Sequence, residues 1–412
     1  MTVTIWYSTD EFAQFIAANT TLGTLNPAFK KLYESDASNS RNFHALPDHI
    51  KKILYLDSPD LIVEIDAEPI FSIEESKEAG TGHNAFQRFA RLAASVENDV
   101  PAFYIYPEAS IVERNAGASV RWDALNPLIF HAMEQVMQVH SIPALLYFFP
   151  SDYRSHRDNP KGAPNRARKG LKHDVAYPAC PDGADAEMTN MFYAINQILA
   201  LVDHHGVVVA RSKLLQDLII RQRRTYMQAE FAAKAGGKSP DTMSPMTSTR
   251  RVQTSELLKH LSDYCKGGYK IGNLLRSREE TIIYSVNARY RGDPYPGSLA
   301  AIDYIGCRQG KTFEERKYNL VLAWGEYAEH PEKGFLLGGG TATIKDFIRE
   351  VKASENKNIL GRKFSSLQSW EIPRYYMQVR YGSTFSKNKQ VRIYAYFADA
   401  MLFPDGALWR DG

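Results

Sequence analysis

Two neighbouring apolar segments constrain the fold more than any other feature of this sequence. Residues 60–66 (Asp-Leu-Ile-Val-Glu-Ile-Asp) and 69–77 (Pro-Ile-Phe-Ser-Ile-Glu-Glu-Ser-Lys) both mix apolar, Ile-rich runs with acidic residues. Only Ala67 and Glu68 separate them. Short apolar runs of this type, so close together, predict two antiparallel strands joined by a tight turn. We therefore expect a β-hairpin over these residues.

The register of this hairpin determines which side chains meet. A turn at Ala67-Glu68 places Asp60 directly opposite Glu75, and Lys77 then points to the same face as Glu75. A slip of one residue would undo this pairing. In this register the hairpin presents Asp60, Glu75 and Lys77 together.

The segments around the hairpin alternate between patterns typical of helices and of strands. Residues 1–50 have helical patterns, with one helix predicted to begin at Thr9 and another at Asn26-Pro27. Such alternation is typical of an α/β domain. Further helices are predicted over residues 83–96, 126–139 and 186–204, and further strands over 101–106 and 142–149.

The C-terminal third predicts an additional α+β region. The last of its predicted strands are rich in Tyr and Arg, which are used both to read DNA and to form oligomer interfaces. The sequence leaves both roles open. The predicted elements are a helix over residues 254–264 and strands over 282–286, 318–324, 375–380 and 390–397.

Composition excludes several classes of protein. The chain has 412 residues, 44% hydrophobic and 24% charged, which excludes a mainly disordered or collagen-like chain. Its net charge of +3 neither requires nor excludes a nucleic-acid partner. Three separated cysteines fit a reducing cytoplasm better than a disulfide framework. Because the longest apolar run, Ile142–Phe149, is too short to span a bilayer and no signal peptide is recognisable, we expect a cytoplasmic protein with no membrane partner.

Paired carboxylates on one hairpin indicate a metal site. Two acidic groups a few ångströms apart repel each other, and a bound cation removes that repulsion. Oxygen ligands suit Mg²⁺, which binds one or two carboxylates and keeps several waters. A neighbouring lysine can hold the attacking water and stabilise negative charge on a phosphate. These are the parts that hydrolysis of a phosphodiester needs.

The same residues resemble the PD-(D/E)XK pattern of the restriction-endonuclease-like nucleases. Pro59-Asp60, a spacer and Glu75-Ser76-Lys77 match the motif, and the Gly-rich turn and the helix over 83–96 follow as in the family. The resemblance covers roughly residues 50–150. It implies an α/β fold with a mixed β-sheet core flanked by helices, and Mg²⁺-dependent cleavage of DNA to 5′-phosphate and 3′-hydroxyl ends.

The resemblance also implies roles for the matching residues. Asp60 and Glu75, with the Ser76 carbonyl, would bind the metal ion, and Lys77 would assist the attacking water. The helix that follows supplies Gln87 to the catalytic set, and Asn84 and Arg88 to the bound DNA.

Other interpretations of the acidic residues stay open. Glu64 and Asp66 share the face of Asp60 in the predicted register and compete as ligands. Glu34 matches, by position only, an acidic residue that family members often add from an N-terminal helix. Alternatively, the hairpin residues form a solvated set of cross-strand charges that binds no metal.

A basic segment follows the predicted core. Residues 154–172 contain seven Lys and Arg residues together with Pro and Gly. The segment either contacts phosphates or is a solvated loop. The residues that we assign to DNA binding in this segment are Arg154, Arg157, Arg166, Arg168 and Lys169.

These observations predict a nuclease domain with N-terminal helices over residues 1–175, a helical segment and basic linker over 176–250, and a DNA-recognition or dimerisation domain over 251–412. The leading hypothesis is a type II restriction endonuclease that cleaves double-stranded DNA as a homodimer. The alternatives are a nuclease of the same fold acting on modified or branched DNA or on RNA, and a non-catalytic nucleic-acid-binding protein on a nuclease-like core.

Overall fold

A computed structural model of the chain describes most of the N-terminal half and parts of the C-terminal half. Two compact units are present, Met1–Ser35 with Arg41–Asp241, and Asp36–Ser40 with Thr242–Gly412. The described residues are 2–32, 46–54, 58–76, 92, 95–114, 119–149, 152–164, 172–235, 249–264, 276–286, 315–338, 343–345, 358–359, 362–363 and 399–409.

The first unit is built on a six-stranded mixed sheet in the order β2-β1-β3-β4-β5-β8. β1 and β2 are parallel, β3 is antiparallel to both β1 and β4, and β4, β5 and β8 are parallel. A separate hairpin, β6–β7, leaves the sheet after β5. The strands are β1 (Val3–Tyr7), β2 (Ala28–Lys31), β3 (Leu61–Ile65), β4 (Glu68–Glu75), β5 (Ala102–Pro107), β6 (Ala109–Arg114), β7 (Ser119–Ala124) and β8 (Ala144–Phe149).

Helices cover both faces of this sheet. The chain steps in opposite directions from β1 to β2 and from β5 to β8, so right-handed crossovers place α1 and α3 on opposite faces. Phe15 of α1 packs edge-on against Phe192 of α4, with ring centroids 5.6 Å apart. The α/β class is therefore confirmed. The helices are α1 (Asp10–Ala18), α2 (Asp48–Leu54), α3 (Leu128–His140), α4 (Ala186–His205), α5 (Val207–Lys213) and α6 (Leu218–Ala235).

The predicted hairpin is present, but its register differs from the prediction by one residue. The turn lies at Asp66-Ala67, where both residues have positive φ values of 48° and 64°. A bulge follows at Val63/Glu64, and beyond it Leu61 pairs with Ile73. The predicted pairing of Asp60 with Glu75 is therefore wrong, because the two-residue turn lies one position earlier than predicted. That position shifts the pairing by two residues, and the bulge restores only one of them.

Arg223 of α6 covers the outer edge of the sheet. Its guanidinium donates to the carbonyl of Leu146 in the edge strand β8, with Nε at 2.9 Å, and pairs with the Glu187 carboxylate at 2.7 Å. It also stacks 4.0 Å from the ring centroid of Tyr147. This contact satisfies an edge-strand carbonyl and fixes α4 and α6 to the sheet.

Most of the helices and strands predicted outside the hairpin can be compared with the structure. The predicted helices that begin at Thr9 and cover 126–139, 186–204 and 254–264 are confirmed, as are the strands over 101–106, 142–149, 282–286 and 318–324. The predicted helix after Asn26-Pro27 is wrong, because Ala28–Lys31 pairs with β1 instead. Asn26 is left-handed, with φ of 48°, which stops a helix from propagating there. Residues 83–91, 375–380 and 390–397 lie outside the described residues.

The second unit contains a five-stranded mixed sheet in the order β17-β16-β11-β10-β9, with α7 (Thr254–Tyr264) between β9 and β10 in the chain. Its apolar core includes Leu257, Ile283 and Val321. The strands of this unit are β9 (Thr249–Gln253), β10 (Glu280–Val286), β11 (Tyr318–Trp324), β12 (Glu326–His330), β13 (Gly334–Gly338), β14 (Asn358–Ile359), β15 (Arg362–Lys363), β16 (Ala400–Phe403) and β17 (Gly406–Trp409).

A buried charge network ties the second sheet together. Asp399 is only 3% exposed and accepts hydrogen bonds from Arg278, at 3.1 Å, and from Arg316. Its other oxygen accepts the backbone N–H of Leu320 at 2.8 Å. Arg278 also donates to the Asn319 side chain at 2.9 Å. Two guanidinium groups thus share one carboxylate inside the unit.

Replacing Asp399 with alanine is expected to destabilise the second unit by about 3–5 kcal/mol, because two buried cations lose their counter-charge. The measurement is urea unfolding followed by fluorescence. Glu326→Ala removes an exposed acid of the same unit and should change stability by less than about 0.5 kcal/mol. Equal effects of the two substitutions would contradict the stabilising role of the network.

Candidate functional site

The predicted site residues lie at one edge of the first sheet. Because β3 and β4 are antiparallel, the start of β3 adjoins the end of β4. Asp60 comes directly before β3, and Glu75 is the last residue of β4. The parallel strands β5 and β8 end at the same edge. The start of β3 and the ends of β1, β4, β5 and β8 therefore lie along this edge.

Asp60 joins three strands through hydrogen bonds. One oxygen of its carboxylate accepts the backbone N–H of Glu75 at 2.8 Å. The other accepts the hydroxyl of Ser8, which follows β1, at 2.9 Å. The Asp60 carbonyl accepts the Ser8 backbone N–H at 2.9 Å. These contacts orient the carboxylate beside the end of β4.

The residues at the end of β4 are buried. Glu75 is 6% exposed and Ser76 is 1% exposed. The backbone N–H of Ser76 donates to the carbonyl of Ile105 in β5 at 2.9 Å, so extended pairing continues one residue beyond the strand. Lys77 comes next in the sequence but lies outside the described residues.

The observed register brings forward an acidic residue that the sequence prediction missed. Continuing the Leu61–Ile73 pairing by one position sets Asp60 opposite Glu74 rather than Glu75. Glu74 is fully buried. Alternation along β4 puts Glu74 and Glu75 on opposite faces, while the Asp60 carboxylate reaches the backbone between them. The two adjacent glutamates in the sequence, Glu74 and Glu75, were the signal that could have identified Glu74 as a second candidate.

The competing acids lie elsewhere. The Glu64 carboxylate accepts the indole N–H of Trp6 at 2.8 Å and lies 2.9 Å from Nε2 of His49. Asp66 is in the turn at the far end of the hairpin, where it accepts the backbone N–H of Thr2 at 2.7 Å. Glu64 lies four positions along the chain from Asp60, which is about 13 Å in an extended strand. Neither acid is placed beside Asp60.

Most residues assigned to DNA contact fall outside the described part of the chain. These are Asn84, Arg88, Arg166, Arg168 and Lys169. Gln87 of the predicted catalytic set and Glu34, the positional candidate for a further ligand, are outside it as well. Of the residues assigned to DNA contact, only Arg154 and Arg157 are described.

Arg154 lies beside the end of β5. Its Nε donates to the Glu108 carboxylate at 2.8 Å, and this hydrogen bond raises the pKa of the guanidinium. Glu108 also accepts Nζ of Lys234 at 3.0 Å. Burial lowers the pKa of Lys234, but attraction by Glu108 and Glu230 outweighs it and leaves the pKa raised. Both cations are therefore charged at neutral pH.

The donor set at the sheet edge suits a hard divalent cation. Each carboxylate oxygen has two lone pairs, so Asp60 can accept its present hydrogen bonds and still coordinate a metal. Carboxylates and a backbone carbonyl are ligands that Mg²⁺ prefers, and no Cys or His is needed. Within the described ranges, no group of three or more His, Cys, Asp or Glu side chains is positioned to hold a metal. The ligands that the resemblance implies are Asp60, Glu75 and the Ser76 carbonyl. The observed register brings the Asp60 carboxylate to the backbone of Glu75 but leaves the Glu75 side chain on the face opposite Glu74.

Comparisons with protein-family models, curated proteins and solved structures found no match. None of the described helices is long and apolar enough to cross a membrane.

The hydrogen bonds of Asp60 can be tested by two substitutions. Asp60→Ala should destabilise the first unit by about 1–3 kcal/mol, because buried donors of Ser8 and Glu75 lose their acceptor. Asp60→Asn should retain most of the stability, because an amide oxygen can accept the Glu75 N–H and the amide can donate to the Ser8 hydroxyl. Thermal unfolding of both variants measures the difference.

Asp66→Asn is the matched control, because Asp66 is exposed, accepts one hydrogen bond, and Asn tolerates the left-handed backbone of this turn position. Destabilisation by Asp60→Ala no larger than by Asp66→Asn would show that the Asp60 contacts do not hold the strands.

Proposed function

We propose that this protein is a Mg²⁺-dependent endonuclease that hydrolyses phosphodiester bonds in double-stranded DNA. The observation that carries the proposal is the Asp60 carboxylate held 2.8 Å from the backbone N–H of Glu75, directly before Ser76 and Lys77 in the sequence. The mixed sheet with helices on both faces agrees with the core that the PD-(D/E)XK resemblance implies. The motif residues Asp60 and Glu75 lie at the edge of the sheet where β3 begins and β4 ends.

Each residue of the motif has a distinct task in this proposal. Asp60, Glu75 and the Ser76 carbonyl would hold Mg²⁺, which when bound supplies Lewis-acid activation of water and charge stabilisation at the phosphate. Lys77 would orient the attacking water and offset the negative charge that develops on the phosphate oxygens. Ser8 positions Asp60 through its hydroxyl. Gln87 would complete the polar wall of the site.

The chain contains a second unit in addition to the one that carries the candidate site, which supports a site-specific enzyme. A catalytic core does not need the second unit, which would supply target recognition or dimerisation, as in a type II restriction enzyme. Cleavage of both strands of a palindromic site would favour a two-fold homodimer. We place this activity in the cytoplasm, in keeping with the cysteine pattern.

A second candidate is a nucleic-acid-binding protein on a nuclease-like core. The observation in its favour is that both carboxylate oxygens of Asp60 already accept hydrogen bonds from the protein. These two hydrogen bonds stabilise the sheet without a bound metal ion. A nuclease of the same fold acting on modified or branched DNA, or on RNA, is the alternative within the enzymes.

The decisive experiment is digestion of unmethylated and methylated phage DNA. Wild-type protein with Mg²⁺ should give discrete fragments, and EDTA should abolish them. Lys77→Ala and Asp60→Asn should each lower the cleavage rate by at least about 100-fold, because the site loses transition-state charge stabilisation or a metal ligand.

The matched control is Asp66→Asn, an acid of the same hairpin outside the proposed site, which should cleave at the wild-type rate. DNA binding without cleavage by folded wild-type protein would favour the binding protein. Cleavage that persists in Asp60→Asn would reject the assigned metal site.

A further inference from the structure

A cavity of about 730 Å³ opens in the first unit beside the end of β5. Its volume is within the range of ligand pockets. The walls come from the end of β7, the turn before α3, the segment after β8 and the last turns of α6. Polar and aromatic residues that line it include Asp123, Asn126, Tyr153, Arg154, Arg157 and Lys234.

The charges of the cavity leave one cation available. Glu108 pairs with Arg154 and Lys234, and Glu230 also pairs with Lys234, so two carboxylates balance these two cations. Asp123 is the remaining acid of the lining. Arg157 is exposed and forms no hydrogen bond or ion pair with any residue of the described segments. The cavity is thus suited to a ligand with one anionic group rather than to a polyanion.

One wall of the cavity is aromatic and rigid. The ring of Tyr153 packs edge-on against Trp122, with centroids 5.5 Å apart. The Trp122 indole N–H donates to the carbonyl of His156 at 2.9 Å, which holds the pair against the segment that carries Arg157. Leu125 and Pro127 add apolar surface. A planar group can stack here while an anionic group contacts Arg157.

The cavity lies on the same edge of the sheet as the candidate metal site. Glu75 pairs with Ile105, and Glu108 follows three residues further along the chain. The offset along the strand direction is therefore about 10 Å.

We propose that this cavity binds one nucleoside monophosphate group, with its base against Tyr153 and its phosphate at Arg157. Asn126 and Asp123 provide hydrogen-bonding groups for a base edge. The choice of a nucleotide rests in part on the proposed function, because the strand that would be cleaved passes the same edge. The nucleotide is either a unit of a nucleic-acid strand or a free mononucleotide.

Calorimetric titration of the full chain in EDTA tests the site without cleavage. The ligands are the four deoxynucleoside monophosphates, inorganic phosphate, and a single-stranded and a duplex oligonucleotide. Arg157→Ala should weaken nucleotide binding about 10-fold or more, since a charge-assisted hydrogen bond is lost. Tyr153→Leu should weaken it about 10-fold through lost stacking. Arg221→Ala, which removes an exposed Arg outside the cavity, is the matched control and should bind as wild type.

The arms of the experiment separate the possible sources of the nucleotide. Weaker binding of oligonucleotides by Arg157→Ala and Tyr153→Leu identifies a strand nucleotide, and an effect confined to mononucleotides identifies a free effector. Absence of nucleotide binding, or equal affinities of Arg157→Ala, Tyr153→Leu and wild type, would overturn the proposal. Phosphate binding as tight as nucleotide binding would also overturn it.

Asp60→Asn distinguishes this proposal from the proposed function. That variant should bind mononucleotides like wild type while it loses cleavage. If wild-type protein binds nucleotides at this cavity but cleaves no nucleic acid, the cavity stands and the nuclease proposal fails. If the protein cleaves nucleic acid but binds no mononucleotide, the nuclease proposal stands and the cavity proposal fails.

Discussion

The hydrogen bonds of the Asp60 carboxylate are the interaction on which the candidate site depends. It accepts from Ser8 after β1 and from the backbone of Glu75 at the end of β4, while Asp60 itself directly precedes β3. Three strands are held in one arrangement by one side chain. The two donors stabilise the negative charge of Asp60. The protein itself therefore holds the Asp60 carboxylate in place.

The sheet explains why this edge is rigid enough to hold a site. β4 lies between an antiparallel neighbour, β3, and a parallel one, β5, and its side chains from Pro69 to Glu75 are buried. A strand covered on both faces cannot rotate its side chains into solvent. At the edge strand β8 of the same sheet, Arg223 forms an ion pair with Glu187 and donates to the carbonyl of Leu146. The buried core therefore fixes the positions of the residues at the end of β4.

The two charge networks of the chain have different consequences. In the second unit, Asp399 is enclosed by Arg278 and Arg316 and serves the sheet itself. In the first unit, Glu108 pairs with the exposed Arg154 and with Lys234 at the mouth of a cavity. Pairing there reduces the positive potential that a basic segment implies, so the number of Lys and Arg residues overstates the charge offered to a phosphate. Arg157, which also lines the cavity, forms no ion pair with any residue of the described segments.

Sequence patterns predicted the main elements of the first unit and the nearness of Asp60 to the end of β4. Apolar periodicity is a local signal, and it predicted the hairpin, α3, α4, β5 and β8. The pattern failed at Ala28–Lys31, which becomes a strand because β1 offers an edge for pairing. The register also escaped prediction. It depends on left-handed backbone at Asp66 and Ala67 and on a bulge, neither of which residue type alone specifies.

The sequence by itself therefore determined that two acidic strands form a hairpin and that a PD-(D/E)XK pattern lies along it, because both follow from residues near one another in the chain. Only the tertiary structure decided that Glu74 lies opposite Asp60, that Ser8 orients the carboxylate, and that Glu64 serves Trp6 and His49 instead. It also decided that residues from four separate segments enclose the cavity at Arg157. Such contacts join residues far apart in the chain, and their formation depends on how the strands and helices pack.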